Sequence, residues 1–259
     1  MTNTGSVLQA RGLRCVFGRG RDQQVAVDNV DLDILPGEVV GVVGESGSGK
    51  STLGRIITGL QSREQGELLL CGQPRKLHAS SAEFRRFSGV VQMVFQDSYS
   101  SLNPRRTILD SLTEPLLLQG QSKQTAFQQG RAWLDRISLS SAAAGRYPHE
   151  LSGGQRQRVG IARAFIVEPK LVVCDEAVSA LDVSVQAQIL ALLKDIQQTQ
   201  NTAMLFISHD LAVVRHMSDR VAVMYKGRRV EFDDVTRVYE SPQHEYTRRL
   251  LSLHMEASL

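Results

Sequence analysis

A glycine-rich stretch near the amino terminus contains the residues with the most evident chemistry. Residues 44–51 have the sequence Gly-Glu-Ser-Gly-Ser-Gly-Lys-Ser, which matches a glycine, four residues and then Gly-Lys-Ser. Such a loop turns backbone N–H groups around phosphate oxygens, and the N-terminus of a following helix adds partial positive charge. We predict a phosphate-binding loop with these members: Gly44, Ser46, Gly47, Ser48, Gly49, Lys50, Ser51 and Thr52.

Two side chains of this loop would contact charged groups directly, one the phosphates and the other a metal ion. Lys50 would contact the β- and γ-phosphates of ATP, and the Ser51 hydroxyl would take one coordination place on Mg²⁺. The alternative is an ordinary turn between a strand and a helix. The residues 39–43 before the loop predict a buried strand, and the residues 52–57 after it predict a helix, so the context favours a nucleotide site.

Polar side chains follow three further apolar runs of the sequence. These side chains are Gln96, the pair Asp175 and Glu176, and His209. In an α/β fold the carboxyl ends of the strands carry the ligand contacts. Asp175 would hold Mg²⁺ through water, Glu176 would act as general base, and Gln96 would reach the metal or the attacking water. The alternatives are a helix cap for the two acids, a surface glutamine and a structural histidine.

A second glycine-rich stretch, Leu-Ser-Gly-Gly-Gln, occupies residues 151–155. A serine and two glycines ahead of a helix form another N-terminus that attracts anions. The helix is predicted over residues 153–165, with Val159, Ala162 and Phe165 turned inward. The sequence therefore contains two separate anion sites.

Strands and helices must position these residues. Residues 7–17 predict an edge strand, which a turn at residues 18–22 joins to a second strand. Residues 75–87 predict a helix, and the helical periodicity from residue 98 to about residue 168 predicts an inserted helical subdomain. Phe17, at the end of the first strand, is a candidate for stacking on adenine, and an ordinary core position is the alternative.

The bulk composition limits the class of protein. A formal net charge of +3 over 259 residues, without a basic tract, does not indicate nucleic acid as a partner. No run reaches the roughly 18 apolar residues of a membrane span, and the amino terminus carries no export signal, so we expect a cytoplasmic chain. Cys15, Cys71 and Cys174 lack metal-binding spacing, which predicts reduced, buried thiols.

These motifs, in this order, resemble those of the ATP-binding subunits of ABC transporters. The resemblance rests on the phosphate loop, residues 151–155, the Asp175-Glu176 pair and His209, and it covers essentially the whole chain. It implies an α/β fold with a P-loop NTPase doubly wound core, an antiparallel β-layer and the inserted helical subdomain. The implied boundaries of this single domain, residues 1–259, are a core at 1–97 and 166–259 and a helical subdomain at 98–165.

The same resemblance implies that two subunits close head to tail on two ATP molecules, with Mg²⁺ as the second cofactor. Four residues would then contact the γ-phosphate held by the partner's phosphate loop: Ser152, Gly153, Gly154 and Gln155. Gln96 matches the family's glutamine loop, Asp182 matches the loop that communicates across the dimer, and His209 matches the switch histidine.

A narrower resemblance, to importers of peptides and nickel, rests on residues 94–105, 147–150 and 241–247. It implies an ATP-hydrolysing subunit that powers the import of nickel, metal chelates or oligopeptides, bound peripherally to the inner face of the cell membrane. The implied partners are a second, unlike ATPase subunit, two membrane permeases and an extracytoplasmic solute-binding protein. We expect the nickel or metal-chelate members, because the chain ends at Leu259 without a cysteine-rich extension.

Other functions of the same family remain open at this point. The main alternative is a soluble ABC ATPase that acts on nucleic acid or ribosomes. Half of an exporter and a regulatory paralogue that does not split ATP are further alternatives. For an importer, we expect the permease to dock near residues 96–105, with Ser100 and Leu102 in the contact.

Overall fold

The computed structural model describes residues 5–18, 20–78, 80–97, 101–179 and 181–256. The described strands are β1 (Leu8–Phe17), β2 (Gln24–Ile34), β3 (Val39–Val43), β4 (Gln65–Leu70), β5 (Gln73–Pro74), β6 (Val91–Val94), β7 (Leu171–Asp175), β8 (Ala203–Ile207), β9 (Arg220–Tyr225) and β10 (Arg228–Asp234). The described helices are α1 (Lys50–Thr58), α2 (Ser81–Phe87), α3 (Ile108–Leu118), α4 (Lys123–Arg136), α5 (Gly153–Phe165), α6 (Val183–Gln200), α7 (Leu211–Met217), α8 (Val235–Glu240) and α9 (Glu245–Glu256). Short 3-10 turns lie at Gly20–Asp22, Ser141–Gly145 and Pro148–Glu150.

The larger sheet forms the centre of the molecule. Its strand order is β10-β9-β3-β8-β7-β6, and all neighbours are parallel except the hairpin pair β9 and β10. Strands β3, β7 and β8 are buried along their whole length, as the continuous apolar runs predicted. Because these strands are parallel, their carboxyl ends meet at one edge, where the predicted polar residues follow them.

Both faces of this sheet are covered, which confirms the doubly wound α/β core. On one face, α1 and the smaller sheet share a core with Leu53, Ile56 and Ile57. On the other face, α5, α6 and α7 pack against the sheet around Phe165 and Leu193. The apolar residues of each helix recur at helical spacing, so burial of one stripe is sufficient to fix each helix on its face.

The smaller sheet is antiparallel, as expected, but the predicted position of its first strand was wrong. Its order is β2-β1-β4-β5, so β1 lies between two partners and β2 and β5 form the edges. The inner position of β1 explains its alternating burial, since Leu8, Ala10 and Leu13 face the core. Strand pairing across a long connection is a tertiary property that local periodicity does not reveal.

Helices α3, α4 and α5 pack around a third apolar cluster, which includes Leu112, Leu134 and Val159. The predicted bounds of α5 agree with the structure, and Val159, Ala162 and Phe165 are all fully buried. Leu102, expected to face a permease, is only 2% exposed and belongs to this cluster. That expectation was therefore wrong, and the other expected contact, Ser100, lies outside the described residues.

Two further expectations need correction. Residues 75–87 form a helix only from Ser81 onward, because Ser80 caps α2 there by accepting a hydrogen bond from the Glu83 N–H. Cys15 and Cys174 are buried free thiols as predicted, but Cys71 is exposed in the turn after β4. Within the described ranges, no helix combines the length and apolar character needed to cross a bilayer.

Candidate functional site

The phosphate loop joins the fully buried β3 to α1. Gly49 is the N-cap of α1 with φ of 102°, and no side chain caps this helix end. A Cβ at Gly49 would lie 2.2 Å from the Ala26 carbonyl oxygen, so only glycine fits there. At Gly47, with φ of +78°, a Cβ would meet no atom within 4 Å, which leaves the backbone open to a ligand. An open glycine backbone and a helix N-terminus without a side-chain cap are suited to bind phosphate.

A cavity of about 270 Å³ lies over this loop. It is lined by Phe17, Gln24, Ala26, Ser46, Gly47, Gly49, Lys50, Ser51, Thr52 and Glu176. Phe17 is 42% exposed at the end of β1, so its ring is available at the cavity and does not belong to the core. Gly44 and Ser48 belong to the same loop but are buried beneath it.

Lys50 is almost completely buried, with 5% of its surface exposed. Its ammonium group donates hydrogen bonds to the Gly44 carbonyl at 2.7 Å and the Glu45 carbonyl at 2.9 Å. Burial lowers the pKa of Lys50, and the carboxylates of Glu176 and Asp175 act in the opposite direction. These neighbours hold a positive charge inside the loop, where phosphate would be recognised.

The Ser51 hydroxyl donates a hydrogen bond of 2.8 Å to Oδ1 of Asp175 at the end of β7. Burial raises the pKa of the Asp175 carboxyl, and the hydrogen bond from Ser51 partly opposes this. A hydroxyl and a carboxylate at the rim of a phosphate-binding loop are hard oxygen ligands of the kind that Mg²⁺ prefers. The residues present therefore fit the predicted metal.

The remaining predicted residues, Gln96 and His209, both lie beside the Glu176 carboxylate. Gln96 Nε2 donates to Glu176 Oε2 at 3.1 Å and to the Ser179 hydroxyl at 3.2 Å, and His209 Nδ1 lies 3.5 Å from the same carboxylate oxygen. The backbone of Glu176 has φ of 48°, a region that side-chain-bearing residues rarely adopt and that clusters at functional sites. Strands β6, β7 and β8 thus deliver an amide, a carboxylate and an imidazole to one place.

Residues 151–155 do not line this cavity in the described part of the chain. The Ser152 hydroxyl accepts a hydrogen bond from the Gln155 N–H, and the Gln155 side chain accepts one from the Ser152 N–H, which forms a capping box on α5. Gly154 fits closely against α6, because a Cβ there would lie 2.6 Å from Val185 Cγ1. A Cβ at Gly153 would have 4.0 Å of clearance, so nothing in the described chain requires glycine at that position.

Asp182 is exposed and caps α6, accepting hydrogen bonds from the Val185 N–H at 3.0 Å and the Ser184 hydroxyl at 2.8 Å. These hydrogen bonds lower the pKa of the Asp182 carboxyl. In the described structure Asp182 therefore acts as a helix cap, away from the cavity of the phosphate loop.

Sequence reasoning missed two residues of α5 that contact the chain on either side of Gln96. On α5, Gln157 donates to the Phe95 carbonyl at 3.4 Å and Arg163 donates to the Ser101 carbonyl at 2.5 Å. These contacts join the helix behind residues 151–155 to both sides of the segment that contains Gln96. The available signal for Arg163 was its charge between the buried Ala162 and Ala164, whereas Gln157, which stands between two arginines, carried no such signal.

Comparisons with known proteins agree on one family. The family model described as "ABC transporter" matches residues 27–179. The glutathione import ATP-binding protein GsiA of Salmonella paratyphi A is 47% identical over 254 residues, which is 95% of this chain and 41% of that protein. The oligopeptide transport ATP-binding protein OppF of Lactococcus lactis subsp. lactis is 50% identical over 240 residues, covering 91% of this chain and 74% of that protein. The chain thus spans about two fifths of the first relative.

The fold is also known from solved structures. A dimeric structure of the ATP-binding cassette MJ0796 in a post-hydrolysis state, bound to ADP and Pi, has a TM-score of 0.79 to this chain at 28% identity. The match covers 88% of this chain and 98% of that one. A P-loop NTPase fold is therefore shown for nearly the whole chain.

Proposed function

We propose, from the premise that this chain belongs to the ABC transporter family, that it hydrolyses ATP to power the import of peptides. The observation that carries the proposal is the convergence of Gln96 and His209 on Glu176, beside the Ser51–Asp175 pair. Relatives named for oligopeptide transport and glutathione import favour a peptide as cargo. Nickel or a metal chelate, the cargo expected in the sequence analysis, becomes the second candidate.

ATP would bind over the phosphate loop. Backbone N–H groups of the loop and the Lys50 ammonium would contact the phosphates, and the half-exposed ring of Phe17 would stack on adenine. Ser51, Asp175 and Gln96 would hold Mg²⁺, Asp175 through water. When bound, this ion supplies charge that neutralises the phosphates during transfer.

Hydrolysis would proceed by general-base catalysis. The Glu176 carboxylate would accept a proton from the attacking water as its oxygen bonds to the γ-phosphorus, and the bond from that phosphorus to the leaving oxygen of ADP breaks. The Gln96 amide and the His209 imidazole would keep the carboxylate aimed, because both lie at one of its oxygens. ADP and Pi would leave, and the proton would pass from Glu176 to solvent.

A second subunit would complete each site. The cavity over the phosphate loop of the same chain is not lined by Ser152, Gly153, Gly154 or Gln155. A Cβ at Gly153 would have 4.0 Å of clearance. A phosphate held by a partner would lie at the N-terminus of α5, where the partial positive charge of the helix attracts anions. The dimeric form of a cassette with 28% identity supports this arrangement. Asp182 would lie at the interface of such a dimer. We propose a heterodimer with an unlike ATPase subunit, bound to ATP and Mg²⁺.

The proposed domain boundaries are a core at residues 1–97 and 166–259 and a helical subdomain at 98–165. A groove of about 260 Å³ lies between them, with Phe84 and Met93 on the core and Leu118 and Arg163 on the helical side. Leu118 is 78% exposed, which is unusual for a leucine beside an apolar groove. We propose this groove, in place of Leu102, as the docking site of a permease.

Two permeases and an extracytoplasmic solute-binding protein would complete the importer, and the chain would lie on the inner face of the cell membrane. To test this, ATP hydrolysis is measured for the purified chain alone and after addition of a second ATPase subunit and permeases in lipid vesicles. We expect weak activity alone and a clear rise in the complex. Full activity of the lone chain at micromolar concentration would favour the soluble ATPase that acts on nucleic acid or ribosomes.

The proposed docking groove is tested by a pair of matched variants. Leu118→Asp should reduce the rise in ATP hydrolysis that the permeases cause at least about tenfold. A carboxylate that docking buries without a partner costs several kcal/mol. Leu253→Asp, on the exposed side of α9, should leave the rise intact. ATP affinity of the isolated chain should not change in either variant, and equal behaviour of the two would remove the groove from the proposal.

A further inference from the structure

Helix α9 lies behind the phosphate loop and contacts it through one buried side chain. Tyr246 is 5% exposed, and its hydroxyl oxygen accepts a hydrogen bond of 3.1 Å from the backbone N–H of Glu45. The loop is thus held from behind by a residue about two hundred positions away in the sequence. Tyr246 belongs to residues 241–247, and the proposed function assigns none of these residues a role in ATP binding or hydrolysis.

The peptide group that receives this contact also holds the loop lysine. The Glu45 N–H and the Gly44 carbonyl belong to one peptide unit, and Lys50 donates to that carbonyl at 2.7 Å. Tyr246 therefore binds one end of the peptide unit and Lys50 binds the other. Rotation of this unit would move the carbonyl away from Lys50 and would leave a partly buried N–H without a partner.

The Tyr246 hydroxyl is itself held rigidly. Its ring stacks on Tyr225 of β9, with ring centroids 4.1 Å apart and an interplanar angle of 28°. The start of α9 is fixed by Glu231 of β10, whose carboxylate accepts the N–H groups of Gln243 and His244 at 2.8 and 3.1 Å. The central sheet thus determines where the hydroxyl lies.

The same hairpin supports the loop from a second side. The Gly227 N–H in the β9–β10 turn donates to the Ser48 carbonyl at 3.0 Å. A Cβ at Gly44, where φ is +145°, would lie 2.2 Å from the Met224 carbonyl oxygen. The first residue of the loop is therefore packed against β9, and its peptide unit has little freedom apart from the rotation that Tyr246 opposes.

We propose that Tyr246 is a positioning residue for the phosphate loop, which orients the Gly44–Glu45 peptide unit and through it the Lys50 ammonium. This inference rests on the proposed function, since it assigns Lys50 to ATP. The ion pair of Arg249 with Glu45, 3.4 Å long and exposed on both sides, is a poor candidate for the same role, because such pairs contribute little. The hydroxyl of Tyr246 is the specific contact.

The test measures binding of the non-hydrolysable analogue AMP-PNP, with Mg²⁺, to the full chain by calorimetry. Tyr246→Phe keeps the ring stack and removes only the acceptor, so affinity should fall about 3- to 10-fold, the usual effect of one hydrogen bond. Tyr239→Phe is the matched control, since that hydroxyl donates to the Leu211 carbonyl at 2.6 Å, away from the loop. The control and Arg249→Ala should bind as the unmodified chain does.

A double-mutant cycle with Lys50→Ala separates positioning from general stabilisation. If Tyr246 acts through Lys50, Tyr246→Phe should have no further effect on affinity in a chain that already carries Lys50→Ala. Additive effects, unchanged affinity of Tyr246→Phe, or an equal loss in Tyr239→Phe or Arg249→Ala would each overturn the inference. Failure of the unmodified chain to bind AMP-PNP, or normal binding by Lys50→Ala, would instead contradict the proposed function of the loop.

Discussion

The phosphate loop and residues 151–155 are both glycine-rich helix starts, but they are built differently. Around the loop, other elements of the same chain contribute contacts: Gly227 donates to Ser48, Tyr246 accepts from Glu45, and Asp175 accepts from Ser51. The Ser152–Gln155 stretch is capped by its own side chains and does not line the cavity over the phosphate loop. Under the proposed function, the first helix start would bind phosphate within its own chain, and the second would meet a phosphate held by a partner.

With the proposed function, this difference would give one sequence two anion sites with separate tasks. A site that binds its ligand alone needs preorganised donors and a buried charge, such as Lys50. A site that meets a ligand held elsewhere needs an exposed, rigid helix end, and the capping box at Ser152 supplies this rigidity. Hydrolysis would then depend on the approach of two chains, which is how transport can control it.

The largest expected effect concerns Glu176. Glu176→Gln keeps the shape of the side chain and removes the base, so hydrolysis should fall by roughly 10² or more, while the affinity for ATP is retained. The variant should accumulate as an ATP-bound closed dimer, detected by light scattering. Turnover near that of the unmodified chain would show that another group takes the proton.

An effect of intermediate size is expected when the two neighbouring glycines of residues 151–155 are replaced one at a time. Gly154→Ala should destabilise the chain by roughly 1–2 kcal/mol, because the added methyl group meets Val185. Gly153→Ala, with 4.0 Å of clearance, should leave the free energy of unfolding unchanged and weaken only ATP-dependent dimerisation. Urea unfolding curves of the two variants give the comparison, and equal destabilisation would mean that Gly153 is a packing residue.

The smallest expected effect concerns pH. Burial raises the folded-state pKa of Asp175, so ionisation of this carboxyl destabilises the chain without nucleotide as the pH rises through that pKa. Asp175→Asn should therefore slightly raise the melting temperature at neutral pH and remove the rise in ATP affinity that Mg²⁺ gives. A lower melting temperature of the variant than of the unmodified chain at neutral pH would mean that the Asp175 carboxylate stabilises the fold. The claim that its burial is destabilising would then be wrong.

Much of this arrangement could be predicted from local sequence. The continuous apolar runs of β3, β7 and β8 fix buried parallel strands, and parallel strands place Glu176 and His209 at one edge. Local patterns could not show that β1 lies inside its sheet or that Leu102 is buried, because both depend on partners distant in the chain. The Tyr246 contact escaped for the same reason, since a tyrosine at a helix start carries no sign of its acceptor role.

The central claim is that the loop acts within its own chain while residues 151–155 act on a partner. The most direct test measures the affinity of the Lys50→Ala and Ser152→Arg variants for ATP in dilute solution, where the chain is monomeric. Lys50→Ala should weaken binding at least about tenfold, as expected for a lost hydrogen bond to a charged group. Ser152→Arg should bind ATP as the unmodified chain does, yet fail to form the closed dimer. Equal loss of affinity in both variants would contradict the division of the two sites.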